Sequence, residues 1–144
     1  MTLTAEDVMT RDPVTIEPQA PLSAALETMR ERRIRHLPVV DGAGRLIGML
    51  TDRDLRHACF ARIRALTESF TDITVEEVMT WAVVTIHPEA SLRHAAAVMF
   101  DRRIGSLPVV RDRRLVGILT ERDLLKAFAR EPSTPRIDLD SLLW

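Results

Sequence analysis

The chain repeats itself. At an offset of 70, Glu6–Val40 overlays Glu76–Val110 with 19 of 35 positions identical; at an offset of 69, Arg45–Ala58 overlays Arg114–Ala127 with 9 of 14 identical. The one-residue slip falls between Val40-Asp41-Gly42-Ala43-Gly44 and Val110-Arg111-Asp112-Arg113, where a turn absorbs a deletion. Self-similarity at one period marks two copies of one supersecondary unit. A unit of about 60 residues is marginal alone. Each copy is therefore expected to bury its apolar face against the other. The 144 residues, one domain by length, divide into repeat 1 (1–66), a linker (67–74), repeat 2 (75–130) and a tail (131–144).

Within a copy the periods change in a fixed order. Val14-Thr15-Ile16 and Val83-Val84-Thr85-Ile86 read as short β-branched strands. Leu22, Ala25, Leu26 and Met29 then fall on one face of a helix opening at Pro21, matched by Leu92, Ala95, Ala96 and Met99 behind the N-cap candidate Ser91. Leu37–Val40 is a strand, and Asp41–Gly44 turns it into Leu46–Leu50. A last helix starts at Asp52, carries Leu55, Ala58 and Cys59 on its apolar side and runs towards Leu66. Its counterpart starts near Glu121 with Leu124, Leu125 and Phe128. The predicted fold is mixed α/β (α+β): two β-α-β-β-α repeats, each preceded by a short apolar turn, EDVMT or EEVMT.

Composition removes several functions. Twenty basic residues stand against twenty-one acidic ones, and this balance argues against a nucleic-acid partner. Lys126 is the single Lys among the basic residues; the rest are Arg, whose planar fork suits phosphate or carboxylate. Cys59 is the only cysteine, so no intrachain disulfide forms. Cys59 is expected to be buried rather than reactive. The opening residues show no basic start followed by an apolar run, and no stretch reaches the roughly 20 apolar residues of a membrane span. The expectation is a cytoplasmic protein without a membrane partner. His36, His57, His87 and His94 lack metal-ligand spacing, and no P-loop, GxGxxG or nucleophile motif occurs. No catalytic residue, no catalytic cofactor and no metal is expected.

The sharpest motif is Gly48-Met49-Leu50-Thr51-Asp52-Arg53-Asp54, repeated as Gly117-Ile118-Leu119-Thr120-Glu121-Arg122-Asp123. A strand ends and a helix begins, presenting unpaired N–H groups and a positive dipole end to an anion. Arg53 and Arg122 are placed to grip phosphate oxygens in bidentate fashion. Gly48 and Gly117 would admit close backbone approach by a ligand. A plainer reading stands beside this one: Thr-x-x-Asp is close to a capping box. The two roles can coexist.

The DVMT opening, the VTI strand, HLPVV or SLPVV, and GMLTDRDL or GILTERDL together resemble the CBS domain, named after cystathionine β-synthase. The resemblance covers about residues 5–130. It implies a tandem pair packed with pseudo-twofold symmetry, with clefts between the copies for an adenosine-containing ligand such as AMP, ADP, ATP or S-adenosylmethionine. It further implies a sensor that regulates a partner protein of unknown identity, and a homodimer formed through helical faces. In the family pattern Asp54 and Asp123 accept from ribose hydroxyls, while Thr51 and Thr120 touch ribose or phosphate. Thr15 and Ile16, with Thr85 and Ile86, would present backbone and apolar contacts to adenine; as plain sequence they are core strands. Thr10 and Thr80 either line the clefts or end a helical turn. Arg35 and His36 before Pro38, and Ser106 before Pro108, would reach the phosphates, with His36 adding pH dependence near its reference value of about 6.5. Alternatively, Arg35 belongs to a solvated, basic helix end. Because Arg35-His36 stands against Gly105-Ser106, two equivalent sites are not expected. The competing function is a structural dimerisation module with vestigial clefts. The tail, ending Leu142-Leu143-Trp144, is expected to dock on its own core or on a neighbouring protomer.

Overall fold

The computed structural model describes residues 2–65, 73–81 and 83–130. The tail, the linker up to Asp72 and the helix end at Leu66 lie outside the described residues.

A Thr4-x-x-Asp7 capping box opens a single-turn helix, α1 (Ala5–Val8), followed by a two-residue strand, β1 (Thr10–Arg11). Then come α2 (Leu22–Arg32), β2 (His36–Val40), β3 (Leu46–Thr51) and α3 (Asp52–Ala65). The second repeat opens on a 3-10 turn at Val75–Glu77, capped by Thr74, and continues with α4 (Leu92–Arg102), β4 (Ser106–Arg111), β5 (Arg114–Thr120) and α5 (Glu121–Ala129). Pro21 caps α2, and the Ser91 hydroxyl accepts from the His94 N–H at 3.1 Å at the start of α4.

Both long first helices stop in the same way. Arg33 (φ 53°) and Arg103 (φ 55°) turn left-handed, and the next residue closes back: Ile34 N–H donates to the Met29 carbonyl and Ile104 N–H to that of Met99. This six-to-one bond is a Schellman ending, and Ile–Met packing accompanies it. It aims the chain into β2 and β4, and so fixes Arg35-His36 and Gly105-Ser106.

The β2–β3 hairpin pairs His36 with Thr51, and β4–β5 pairs Ser106 with Thr120; both slip register at the Val-Val step. The VTI segments are shorter as strands than the sequence suggests. Each pairs through one residue. Ile16 N–H donates to Pro38 O and its carbonyl accepts from Val40 N–H, and Ile86 repeats this with Pro108 and Val110.

The third edge of each hairpin comes from the other copy. β1 lies antiparallel on β5, with Thr10 opposite Ile118, and Thr80 exchanges two backbone bonds with Met49 of β3. The lead segments cross over completely. Ala5 N–H donates to Ala90 O, and its counterpart Val75 N–H to Ala20 O, at 2.8 and 2.9 Å. Two cores result. Leu22, Ala25, Leu37, Val39 and Leu50 of repeat 1 are joined by Ile73, Val75 and Met79; Ala95, Leu107, Val109 and Leu119 of repeat 2 are joined by Ala5 and Met9. The copies do not simply press one apolar face together. Each completes the other's core.

The helix faces are narrower than their periodicity implies. Leu22, Ala25 and Met29 are buried but Leu26 is not, and Leu125 and Phe128 are exposed while Leu124 packs on the core. Cys59 is only partly buried.

Candidate functional site

Both helix starts carry the same cap. The Thr51 backbone N–H and hydroxyl donate to Asp54 Oδ2 at 2.9 and 3.0 Å, and the Asp54 N–H donates to the Thr51 hydroxyl at 3.2 Å. Thr120 and Asp123 repeat these bonds at the same three lengths. The capping box predicted from the sequence is therefore complete in each copy. It consumes one carboxylate oxygen and leaves Oδ1 of Asp54 outside the cap. Thr4-x-x-Asp7 and Thr74-x-x-Glu77 are capping boxes too. The motif alone thus marks helix starts; location separates the inner pair from the outer.

The first of the inner pair, Thr51–Asp54, lines a cleft of about 470 Å³ between the copies. Such a volume suits a small-molecule site. Repeat 1 supplies Thr51, Arg53, Asp54 and Arg56; repeat 2 supplies Thr80, Val83 and Val84 opposite them. Arg35, His36, Asp52, Arg103, Gly105, Ser106 and Glu121 also line it, and the Arg56 guanidinium lies 3.8 Å from the Asp52 carboxylate. The cleft has apolar side chains at Val83 and Val84, hydroxyl and carboxylate groups at Thr51 and Asp54, and four guanidinium groups around it, with Asp52 and Glu121 as further carboxylates. A flat apolar ring, a diol and an anionic group on one molecule would match those three surroundings.

The His36 ring nitrogen Nδ1 lies 3.0 Å from the Ser106 hydroxyl, and these two residues are equivalents in the repeat. They meet on the pseudo-twofold axis. Burial pushes the His36 imidazole below its ordinary 6.5, against the opposing pull of Asp52 and Glu121, while Arg35 adds to the depression. The lowered value favours the neutral ring, which hydrogen-bonds from one copy to the other.

Of the residues singled out in the sequence, Thr51, Arg53, Asp54, Arg35, His36 and Ser106 come together in this cleft. Thr120, Arg122 and Asp123 occupy the pseudo-symmetric position beside β1, and only their neighbour Glu121 reaches the first cleft. The others are placed differently. Pro38 and Pro108 are fully buried inside their strands, and Ile86 belongs to the second core. Ile16 packs on the first core and Thr15 points to solvent. Thr85 lines a separate hollow of about 370 Å³ with Asp41, Arg45 and Arg113. In each VTI run the residue that pairs with the sheet turns inward, so the cleft wall shifts two positions upstream, to Val83-Val84. The two motif glycines face protein rather than a cleft. A Cβ on Gly48 would stand 2.5 Å from Met79 Sδ and 3.0 Å from Thr80 O, and Gly117 meets Met9 and Thr10 O in the same way. Arg56 and Arg103 are additions. Arg56 lies one turn below Asp52 on α3, and Arg103 is the left-handed residue ending α4. A sequence reading could have found Arg56 by stepping four residues from Asp52.

Fold and cleft define a paired-repeat module whose two copies share strands and enclose a small-molecule-sized cavity. The chain belongs to the CBS domain family: the family model matches twice, at residues 5–61 and 75–130. Similar proteins include L-aspartate semialdehyde sulfurtransferase of Methanocaldococcus jannaschii, 33% identical over 124 residues; the match covers 85% of this chain but 23% of that enzyme. Among solved structures, the CBS domain pair of protein MJ0100 in complex with 5'-methylthioadenosine and S-adenosyl-L-methionine is 32% identical, with a TM-score of 0.76 over 88% of this chain and 99% of that one. CBSX2 in complex with AMP is 29% identical, with a TM-score of 0.78 over 88% of this chain and 96% of that one. No helix among the described residues is long and apolar enough to cross a membrane.

Proposed function

We propose that this chain is a regulatory module that binds an adenosine-containing ligand between its repeats and modulates a partner protein. The observation that carries the reading is the Thr51–Asp54 cap opening on the inter-repeat cleft opposite Val83-Val84. Asp54 Oδ1 would accept from ribose hydroxyls, the valines would cover the base, and Arg35, Arg53, Arg56 or Arg103 would meet phosphate or carboxylate. The two CBS pairs solved with S-adenosylmethionine, methylthioadenosine or AMP support the ligand class. Thr120, Arg122 and Asp123 form the corresponding set of a second, non-equivalent site. Regulation follows if the ligand favours one packing of the copies over another. The module works as a homodimer, with helical faces apposed.

A structural module with empty clefts has its own support, because capping alone accounts for Thr51 and Asp54. A thermal-shift panel with AMP, ADP, ATP, NAD, 5'-methylthioadenosine and S-adenosylmethionine separates the two. A native-state ligand at 100 times its Kd stabilises by about 2.7 kcal/mol, so at least one compound should raise the melting temperature by several degrees. A flat response to all six favours the structural module.

A further inference from the structure

The seam between the repeats has two ends. At one, His36 meets Ser106 beside the cleft. At the other the hairpin turns meet. Arg45 and Arg114, equivalents in the repeat, form an antiparallel bridge, and the Leu115 N–H donates to the Gly44 carbonyl at 3.3 Å. Both copies line the hollow of about 370 Å³ at this end: Arg45, Leu46 and Ile47 come from repeat 1, and Thr85, Val110 and Arg113 from repeat 2, with Asp41 beside Arg45. The turn of repeat 2 runs against its own local preference. Asp112 (φ 51°) and Arg113 (φ 66°) lie between the paired Arg111 and Arg114, and both are left-handed. A two-residue turn of this kind favours Asp-Gly, because Gly takes positive φ without a Cβ penalty. Gly44 (φ 79°) holds the matching place in repeat 1. At 113 an arginine is kept in that conformation instead, and it lines the hollow.

The second cation is fixed by Asp41. Its Oδ1 accepts from the Ala43 and Arg45 backbone N–H groups at 2.9 and 3.0 Å, and its Oδ2 accepts from Arg45 Nε at 2.9 Å. The terminal Nη groups of Arg45 stay outside that pair. Among the described residues no carboxylate forms an ion pair with Arg113, so the hollow keeps one uncompensated cation. The pseudo-symmetric place differs. There Arg111 stands for Asp41 and pairs with Glu6 and Glu89, and Gly44 stands for Arg113. We propose that the hollow is a second ligand site, for a small oxyanion with an apolar body, either a phosphate monoester or a carboxylate. Arg45 and Arg113 would grip the anionic head from opposite repeats, the Thr85 hydroxyl would donate to it, and Leu46, Ile47 and Val110 would cover the body. Strain held at a position that a glycine would satisfy is accounted for by the group that the position presents. Because the two cations belong to different copies, a bound anion ties the turn end of the seam together. The site is separate from the adenosyl cleft and does not rest on that reading.

The test is an amide NMR titration of the full chain with phenyl phosphate and, separately, with benzoate, on the wild type and on Arg113→Gly. At least one probe should give saturable shifts at Thr85 and Val110 but not at Thr51 and Asp54, and should raise the wild-type melting temperature. Tighter binding of phenyl phosphate assigns the phosphate monoester, and tighter binding of benzoate assigns the carboxylate. Arg113→Gly should weaken the binding at least tenfold, through loss of a charge-assisted pair. Without a probe the same variant should melt no lower than the wild type, because glycine relieves the turn. A residue kept for structure alone would not give that combination. The proposal is overturned if neither probe shifts Thr85 and Val110, or if the shifts centre on Thr51 and Asp54. Equal affinity in the two proteins overturns it as well, as does an Arg113→Gly variant that melts lower than the wild type. None of these outcomes bears on whether nucleotides raise the melting temperature.

Discussion

Asp54 carries two roles that substitution can separate. An asparagine there still accepts the Thr51 N–H bond, so the cap weakens by the loss of one charge at a helix start, about 0.3–1 kcal/mol. Asp7 holds the same box on α1 and lies outside the cleft. Asp54→Asn and Asp7→Asn should therefore lower the melting temperature by similar small amounts in chemical or thermal unfolding. Only Asp54→Asn should also blunt the response to ligand. A destabilisation of several kcal/mol by D54N alone would show that capping is not its main structural role. His36 supplies a pH test at the same scale. Its folded-state value lies below the unfolded 6.5, so the unfolded chain takes up a proton first as pH falls. Stability from this group is complete above pH 6.5 and declines from there down to the folded value. His36→Asn, which keeps a partner for Ser106, should flatten the fall in melting temperature just below pH 6.5. An unchanged slope would remove His36 from the account. The inner capping boxes were legible in the sequence because they are local, spanning four residues. The burial of Pro38 and Pro108 was not, because it depends on which edge of the strand meets Ile16 and Ile86.

Elements were legible wherever a local rule sets them. The 3.6-residue spacing located α2 and α4, Ser91 announced its cap, and Asp41–Gly44 announced a turn. The exchange of lead segments was not legible. EDVMT and EEVMT are so alike that nothing local tells which copy each will join; the choice is made by Ala5, Met9, Val75 and Met79 filling the core of the opposite repeat. The glycines record that crossing. Gly48 and Gly117 let Thr80 and Thr10 approach β3 and β5, and a carbonyl oxygen 3.0 Å from a new Cβ has no room to retreat. Gly48→Ala and Gly117→Ala should each cost about 1–3 kcal/mol as overpacking, read from denaturant midpoints. Losses near zero would mean that the crossing segments are not held at these strands.

At the scale of the molecule, shared cores imply shared stability. Removing repeat 1 would strip Ala5 and Met9 from the second core and leave β5 without its outer partner. A fragment of residues 73–130 should therefore be unfolded in circular dichroism, while the intact chain melts in one transition by all probes. Two separated transitions would contradict the crossed architecture. The same architecture builds the cleft, because Thr51–Asp54 and the residues Thr80, Val83 and Val84 line one cavity only when the segments cross. The most direct test of the whole reading is a calorimetric titration of the adenosyl compound that gives the largest thermal shift. It would be run on the wild type, Asp54→Asn, Asp123→Asn and the control Asp7→Asn. Losing charge-assisted hydrogen bonds worth about 1.5–3 kcal/mol predicts at least tenfold weaker binding at the cleft where the substituted aspartate sits, with Asp7→Asn indistinguishable from wild type. Saturable binding that is unaffected by both inner substitutions would place the ligand elsewhere and contradict the account.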